Sequence, residues 1–171
     1  MQTMAAGGFP FNSLIYGGLI KTKSMCKAKD LFSAEDMDDI HGAISYAELD
    51  TSGEIRVHIE DSCAGDPRER AHEIFHKLGM EKTTLRNAVL FYVAVENRKF
   101  AVVSDEGINA KAGAGFWDSV KQVMLNHFRE AQFTDGLYEA ITITGEQLKK
   151  HFPREKRTKN ELPDEVTFGV L

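Results

Sequence analysis

Polar residues in three separated segments of the chain have the types and spacing that chemistry requires. The candidate ligands are carboxylates and amides, namely Glu54, Asn87, Asp105, Glu106 and Asn109. Carboxylate and amide oxygens suit a hard cation such as Ca²⁺ or Mg²⁺. Such an ion could neutralise phosphate oxygens and orient water, with Asp105 or Glu54 as ligand or base. The alternative interpretation is structural: strand ends are polar, and Glu54 forms an ion pair with Arg86.

A second motif resembles a zinc site. Residues 72–76 spell H-E-x-x-H, the signature of a helix that presents two imidazoles one turn apart with glutamate as base. The predicted buried stripe of this helix includes Ile74 and Phe75, which leaves His72 and His76 on its flank without a cleft or supporting groups. A zinc-dependent hydrolase is therefore kept only as a remote alternative.

Thiol chemistry has little support in the sequence. Cys63 lies between a predicted strand and a predicted helix N-terminus, where a thiolate could be stabilised. A cysteine-phosphatase loop needs an arginine six residues later, and Glu69 stands at that position. We therefore interpret Cys63 as a structural thiol, and we identify no dedicated nucleophile.

The predicted elements decide whether the polar segments meet. Ser33 and Asp36 have capping-box spacing at the start of a first helix. Residues 54–60 alternate between apolar and polar side chains, which is typical of a strand with one buried face. Asp66 and Pro67 form a strong start signal for the next helix.

Two further strands and two long helices follow. Residues 88–95 form an unbroken apolar run, which is typical of a central strand buried on both faces. A tight reversal then leads into a shorter strand at 100–103. After Gly107 the apolar spacing predicts two amphipathic helices, the second of which ends at Pro153.

This order of elements predicts an α/β fold, namely a three-layer α/β/α sandwich with a small mixed β-sheet. Strands 54–60 and 88–95 are joined by a helix and should be parallel, whereas 100–103 should run antiparallel to 88–95. The starts of the first two strands and the end of the third then lie at one edge of the sheet, which we call the rim. All five candidate ligands are expected at the rim.

Composition bounds the class of protein. The 171 residues are 42% hydrophobic and 27% charged with a net charge of −5, which fits one soluble globular domain and argues against nucleic-acid binding. Two cysteines do not make a disulfide framework. The sequence has no stretch of the roughly 18 apolar residues that a membrane span needs. A cytoplasmic protein is expected.

The folded domain is expected to span residues 31–152. Residues 1–30 are glycine-rich without clear periodicity, so we expect a disordered or mistakenly included N-terminal extension. Residues 153–171 form a polar tail in which Val166 and Phe168 could dock on the body.

Several short segments together resemble the successive motifs of the TPM domain family. They are Thr51–Ser52–Gly53–Glu54–Ile55, Asn87–Ala88–Val89–Leu90, Asn97–Arg98–Lys99, Asp105–Glu106–Gly107–Ile108 and Phe116–Trp117. The resemblance covers roughly residues 31–152, and the tail at 160–165 is similar to a compact, soluble bacterial subgroup. The family includes a thylakoid-lumen phosphatase-like protein linked to photosystem II repair.

The resemblance implies an α/β/α sandwich, divalent-cation binding and, in some members, acid phosphatase activity. Many members have Asn-Gly where this chain has Asn87–Ala88, and Gly-x-Gly where it has Asp105–Glu106–Gly107. The second difference adds carboxylates to the rim.

Taken together, the sequence predicts a TPM-domain protein that binds Ca²⁺ or Mg²⁺ at the rim and acts as an interaction or assembly module. Its ligand would be an unknown protein partner or a phosphorylated small molecule. A weak metal-assisted acid phosphatase is the alternative.

Overall fold

A mixed five-stranded sheet lies at the centre of the computed structural model, which describes residues 2–8, 27–113, 115–154, 162, 166–169 and 171. The strands are β1 (Gln2–Gly8), β2 (Glu54–Glu60), β3 (Ala88–Ala94), β4 (Lys99–Ser104) and β5 (Val166–Phe168). Their order across the sheet is β1-β4-β3-β2-β5. The apolar run of β3 is therefore central, as its composition predicts.

The pairing of the three middle strands confirms the predicted topology. β2 and β3 are parallel with Glu54 opposite Ala88, and β3 and β4 are antiparallel with Val89 opposite Ser104. β5 adds to β2 in parallel, and β1 adds to β4 in antiparallel orientation. The starts of β2 and β3 and the end of β4 therefore share one edge, the predicted rim.

Within the residues that the structure describes, six helices surround the sheet. They are α1 (Ala28–Leu31), α2 (Ala34–Glu48), α3 (Pro67–Lys77), α4 (Glu106–Ala112), α5 (Phe116–Arg129) and α6 (Phe133–His151), with a 3-10 turn at Met80–Lys82. The capping box of Ser33 with Asp36 opens α2, and Asp66 accepts from the Arg68 amide to open α3. Both starts follow the sequence signals, because these caps depend only on neighbouring residues.

Helices cover both faces of the sheet, which gives the predicted three layers. One face carries Ile55, Val57 and Val89 in a core shared with α2, α5 and α6. The other carries Leu90 and Tyr92 in a smaller core with α3. Because β3 alternates its side chains between these two cores, all seven of its residues are buried.

Two segments differ from the sequence expectation. Gln2–Gly8, expected to be disordered, forms a strand paired with β4; residues 9–26 lie outside the described residues. An edge strand is held by main-chain hydrogen bonds, which do not require particular side chains. A glycine-rich segment can therefore form such a strand without an alternating apolar pattern in its sequence. In β2 both faces are buried rather than one. In the tail, Val166 and Phe168 pack against the larger core.

Candidate functional site

The rim brings together the loop before β3 and the start of α4. The amide of Asp105, directly after β4, donates to the carbonyl of Ala88 at 2.9 Å. Glu54 lies opposite the same Ala88 across the β2–β3 pair. All three predicted segments therefore meet within a residue or two of Ala88.

The strongest interaction at the rim joins Arg86 and Asp105. Arg86 Nε donates to Asp105 Oδ2 at 2.7 Å, and Arg86 Nη2 donates to Oδ1 at 2.8 Å. The Asp105 side chain is 0% exposed, whereas that of Arg86 is 41% exposed. Two parallel hydrogen bonds between ionised groups make this a strong, directional pair. The structural alternative paired Arg86 with Glu54, and the structure shows Arg86 paired with Asp105.

Asp105 also begins a helix. Its Oδ1 accepts from the amide of Glu106 at 2.8 Å, and its carbonyl accepts from the amide of Asn109 at 3.0 Å. The carboxylate therefore satisfies a free donor at the start of α4 while neutralising Arg86. Both of its oxygens accept hydrogen bonds in this arrangement.

The backbone of Arg86 is held in an unusual conformation by Gly107. Arg86 has φ +52°, in the left-handed region, and its carbonyl accepts from the amides of Gly107 at 2.7 Å and Ile108 at 3.3 Å. A Cβ on Gly107 would lie 2.1 Å from the carbonyl oxygen of Leu85. Only glycine permits this close approach, so Gly107 fixes the loop before β3 against α4.

Asn87 has unused hydrogen-bonding capacity. Its amide Nδ2 donates to Ser52 Oγ at 3.4 Å, and its backbone amide donates to Thr83 Oγ1 at 3.3 Å. Asn87 is buried, yet its Oδ1 accepts no hydrogen bond from the described part of the chain. The same is true of the buried Ser104 Oγ. A buried polar oxygen without a donor is unfavourable unless another group satisfies it.

The remaining candidate ligands differ in exposure. Glu54 is buried, Asn109 is half-buried and Glu106 is exposed, with its Oε1 3.9 Å from Arg86 Nη2. Among the described residues, no three His, Cys, Asp or Glu side chains are arranged so that they could hold a metal ion. A cation at the rim would therefore need amide, hydroxyl or water oxygens beside its carboxylates.

Electrostatics keep the guanidinium charged. The hydrogen bond to Asp105 raises the pKa of Arg86, and the negative charges of Asp105, Glu106 and Glu81 raise it further. Arg86 therefore stays charged across the physiological pH range.

The H-E-x-x-H residues lie on the flank of α3. His72 is half-buried and His76 is exposed, with Nδ1 of His76 3.6 Å from Glu81 Oε2. Burial lowers the pKa of His72, and the nearby His76 lowers it further. The two imidazoles therefore repel each other when both are protonated, and the Glu81 carboxylate lies beside His76.

A buried polar row along β2 escaped the sequence interpretation. Glu60 Oε1 accepts from Arg70 Nε at 2.8 Å and lies 3.3 Å from His58 Nε2, while His58 Nδ1 is 2.6 Å from Thr167 Oγ1 of β5. The alternation of apolar and polar residues predicted that these side chains would lie on an exposed face of the strand. The alternation of Glu54, Arg56, His58 and Glu60 was the available signal, because opposite charges along one face can neutralise each other on burial.

Several solved structures share the fold of this chain. The chain superimposes with a TM-score of 0.78 on the NMR structure of the BA42 protein from the psychrophilic bacterium Bizionia argentinensis, at 40% identity over 85% of this chain and 100% of that one. An N-terminal domain from P. gingivalis matches at TM-score 0.61 and 17% identity, covering 73% of this chain and 83% of that one. The N-terminal domain of cg2496 from Corynebacterium glutamicum matches at 0.57 and 13%, covering 81% and 82%. The last two show the fold alone.

The architecture is thus an α/β/α sandwich with a mixed sheet. The profile of the TPM domain matches residues 26–147, and the chain belongs to the TPM domain family. Curated protein sequences gave no significant match. Within the described residues, no helix is both long and apolar enough to cross a bilayer.

Proposed function

We propose that the rim binds a divalent cation of the Ca²⁺ or Mg²⁺ type and that the domain acts as an interaction or assembly module. One observation carries the proposal: the buried Asn87 Oδ1, which accepts no hydrogen bond within the described chain. It adjoins Ala88, whose carbonyl accepts from the amide of Asp105. A cation would satisfy this oxygen, and Asp105 would supply the charge.

The available donors fit a hard cation. Asp105 and Glu54 carry carboxylates, Asn87 and Asn109 carry amides, and Ser104 carries a hydroxyl, so every donor atom is oxygen. Ca²⁺ takes six to eight oxygen ligands and accepts water among them. Because few of these donors are charged, we expect weak binding, with Glu106 able to join from the surface.

Weak phosphomonoester hydrolysis is the second candidate. It is supported by the exposed guanidinium of Arg86, which could receive a phosphate oxygen beside the cation. However, an enzyme would need a base as well as a ligand at the rim, and Asp105 already accepts from Arg86 and from the amide of Glu106. This favours a binding module over an enzyme, and the low cysteine content supports a reducing, cytoplasmic setting as part of the proposal.

Melting temperatures with and without millimolar Ca²⁺ or Mg²⁺ test the cation site. A ligand that binds only the folded state stabilises by about 2.7 kcal/mol at a hundredfold excess over Kd. That corresponds to a rise of several degrees for a domain of this size. Asp105→Asn should reduce the rise, because the substitution removes a charge and keeps the shape.

Asp66→Asn is the matched control, because Asp66 also caps a helix and pairs with an arginine. It follows the C-terminal end of β2, whereas the rim lies at the N-terminal end of that strand. An unchanged melting temperature with each cation in the wild type would rule out the cation site. Initial rates on p-nitrophenyl phosphate with and without cation, in the wild type and Asp105→Ala, separate the module from the phosphatase.

A further inference from the structure

Both oxygens of the Asp105 carboxylate already accept hydrogen bonds, and one of their partners is a full positive charge. Its Oδ2 accepts from Arg86 Nε, and its Oδ1 accepts from Arg86 Nη2 and from the amide of Glu106. The carboxylate is fully buried, and the guanidinium is its solvent-facing partner. The guanidinium therefore competes with any cation that approaches this carboxylate from solvent.

The guanidinium can leave without rearranging the loop. The backbone of Arg86 is held by its amide, which donates to Thr83 O at 3.1 Å, and by its carbonyl, which accepts from Gly107. None of these contacts involves the side chain. The exposed carboxylate of Glu106, 3.9 Å from Nη2, offers the guanidinium a second partner.

We infer that Arg86 is the resident counter-ion of the rim and that a divalent cation binds Asp105 by exchange with its guanidinium. The inference rests on the proposed cation site and adds the regulation of that site. Because binding needs the state in which Arg86 has left Asp105, the apparent affinity equals the intrinsic affinity reduced by the fraction of that state. Arg86 therefore keeps the rim neutral without cation and sets the concentration at which it loads.

Calorimetric titration of Ca²⁺ into metal-free protein tests the exchange. Arg86→Gln removes the competing charge, so its Kd should fall by roughly tenfold or more, equivalent to about 1.4 kcal/mol or more. Arg68→Gln, which removes the arginine that pairs with Asp66, is the matched control and should leave Kd unchanged. The side-chain Nε–H signal of Arg86 in ¹H–¹⁵N spectra gives a second measurement on the unaltered protein. It should move on Ca²⁺ addition towards the position of a solvent-exposed arginine.

The outcomes separate this inference from the proposal beneath it. Tighter binding by Arg86→Gln than by the wild type supports the exchange. Binding by Arg86→Gln alone overturns it, because Arg86 would then block the native rim instead of exchanging with the cation. Equal or weaker binding by Arg86→Gln, or an unmoved Nε–H signal in Ca²⁺-loaded protein, overturns the exchange and leaves the cation site standing. Absence of binding in both proteins overturns both.

Discussion

Two aspartates in this protein do the same local work in different surroundings. Asp105 and Asp66 each cap a helix and each pair with an arginine. Asp105 is fully buried and its partner Arg86 comes from a loop nineteen residues away. Asp66 is 35% exposed and its partner Arg68, 53% exposed, is two residues away.

The difference teaches what each pair can do. An exposed ion pair between near neighbours contributes little beyond the cap, because water screens it and the chain already holds the partners close. The buried pair instead ties the loop before β3 to the start of α4. Of these two pairs, only the pair at the rim couples a change in charge at one carboxylate to the position of two elements.

Removing each carboxylate should give the largest difference in stability between the two pairs. Asp105→Ala removes a cap and the two charged hydrogen bonds that tie Arg86 to the start of α4, so we expect a loss of roughly 3 kcal/mol in the free energy of unfolding. Asp66→Ala should cost about 1 kcal/mol, the usual value of a cap. Urea denaturation of both variants measures the difference, and equal losses would contradict the contrast.

Glycine substitutions should sharpen the same contrast with a smaller effect. Gly107→Ala brings a Cβ to 2.1 Å from the carbonyl of Leu85, so the loop or α4 must shift, at a cost of about 2 kcal/mol. Gly65, in the loop before Asp66, has no atom within 4 Å of an added Cβ. Gly65→Ala should therefore stay within about 0.5 kcal/mol of the wild type. Thermal unfolding of both variants provides the measurement, and a tolerant Gly107 would mean that the loop is not fixed as described.

His58 on β2 should make the stability of the protein depend on pH. Burial lowers the pKa of His58 below its usual value of 6.5. Below that value the unfolded chain binds a proton that the folded protein resists, so stability is lost as pH falls from about 6.5 towards the lowered pKa. His58→Gln should remove about 1 kcal/mol of the difference in unfolding free energy between pH 7.5 and pH 5.5. An unchanged difference would show that other groups cause the acid sensitivity.

The sequence predicted the rim because topology alone brings its segments together. A helix between two strands requires parallel pairing, and a tight reversal requires antiparallel pairing, so the ends of β2, β3 and β4 follow from element order. The choice of Arg86 as the partner of Asp105 could not be predicted. It depends on the positive φ of Arg86 and the close approach at Gly107, which leave no periodic pattern.

The burial of the polar face of β2 could not be predicted from the sequence for a different reason. It arises from distant groups, namely Arg70 on α3 and Thr167 on β5. Alternation within 54–60 describes that strand alone, and says nothing about what later covers it.

The placement of β1 and β5 bears on how the chain reaches this fold. Both edge strands come from segments remote in sequence from their neighbours; Thr167 of β5, for example, contacts His58 across 109 residues. Closing such large loops carries an entropic cost that only the completed pairing offsets. The β2–β3–β4 unit and its connecting helix have much shorter separations and should assemble first. We therefore expect the edge strands to add late in folding, and mutations within them to speed unfolding more than they slow folding.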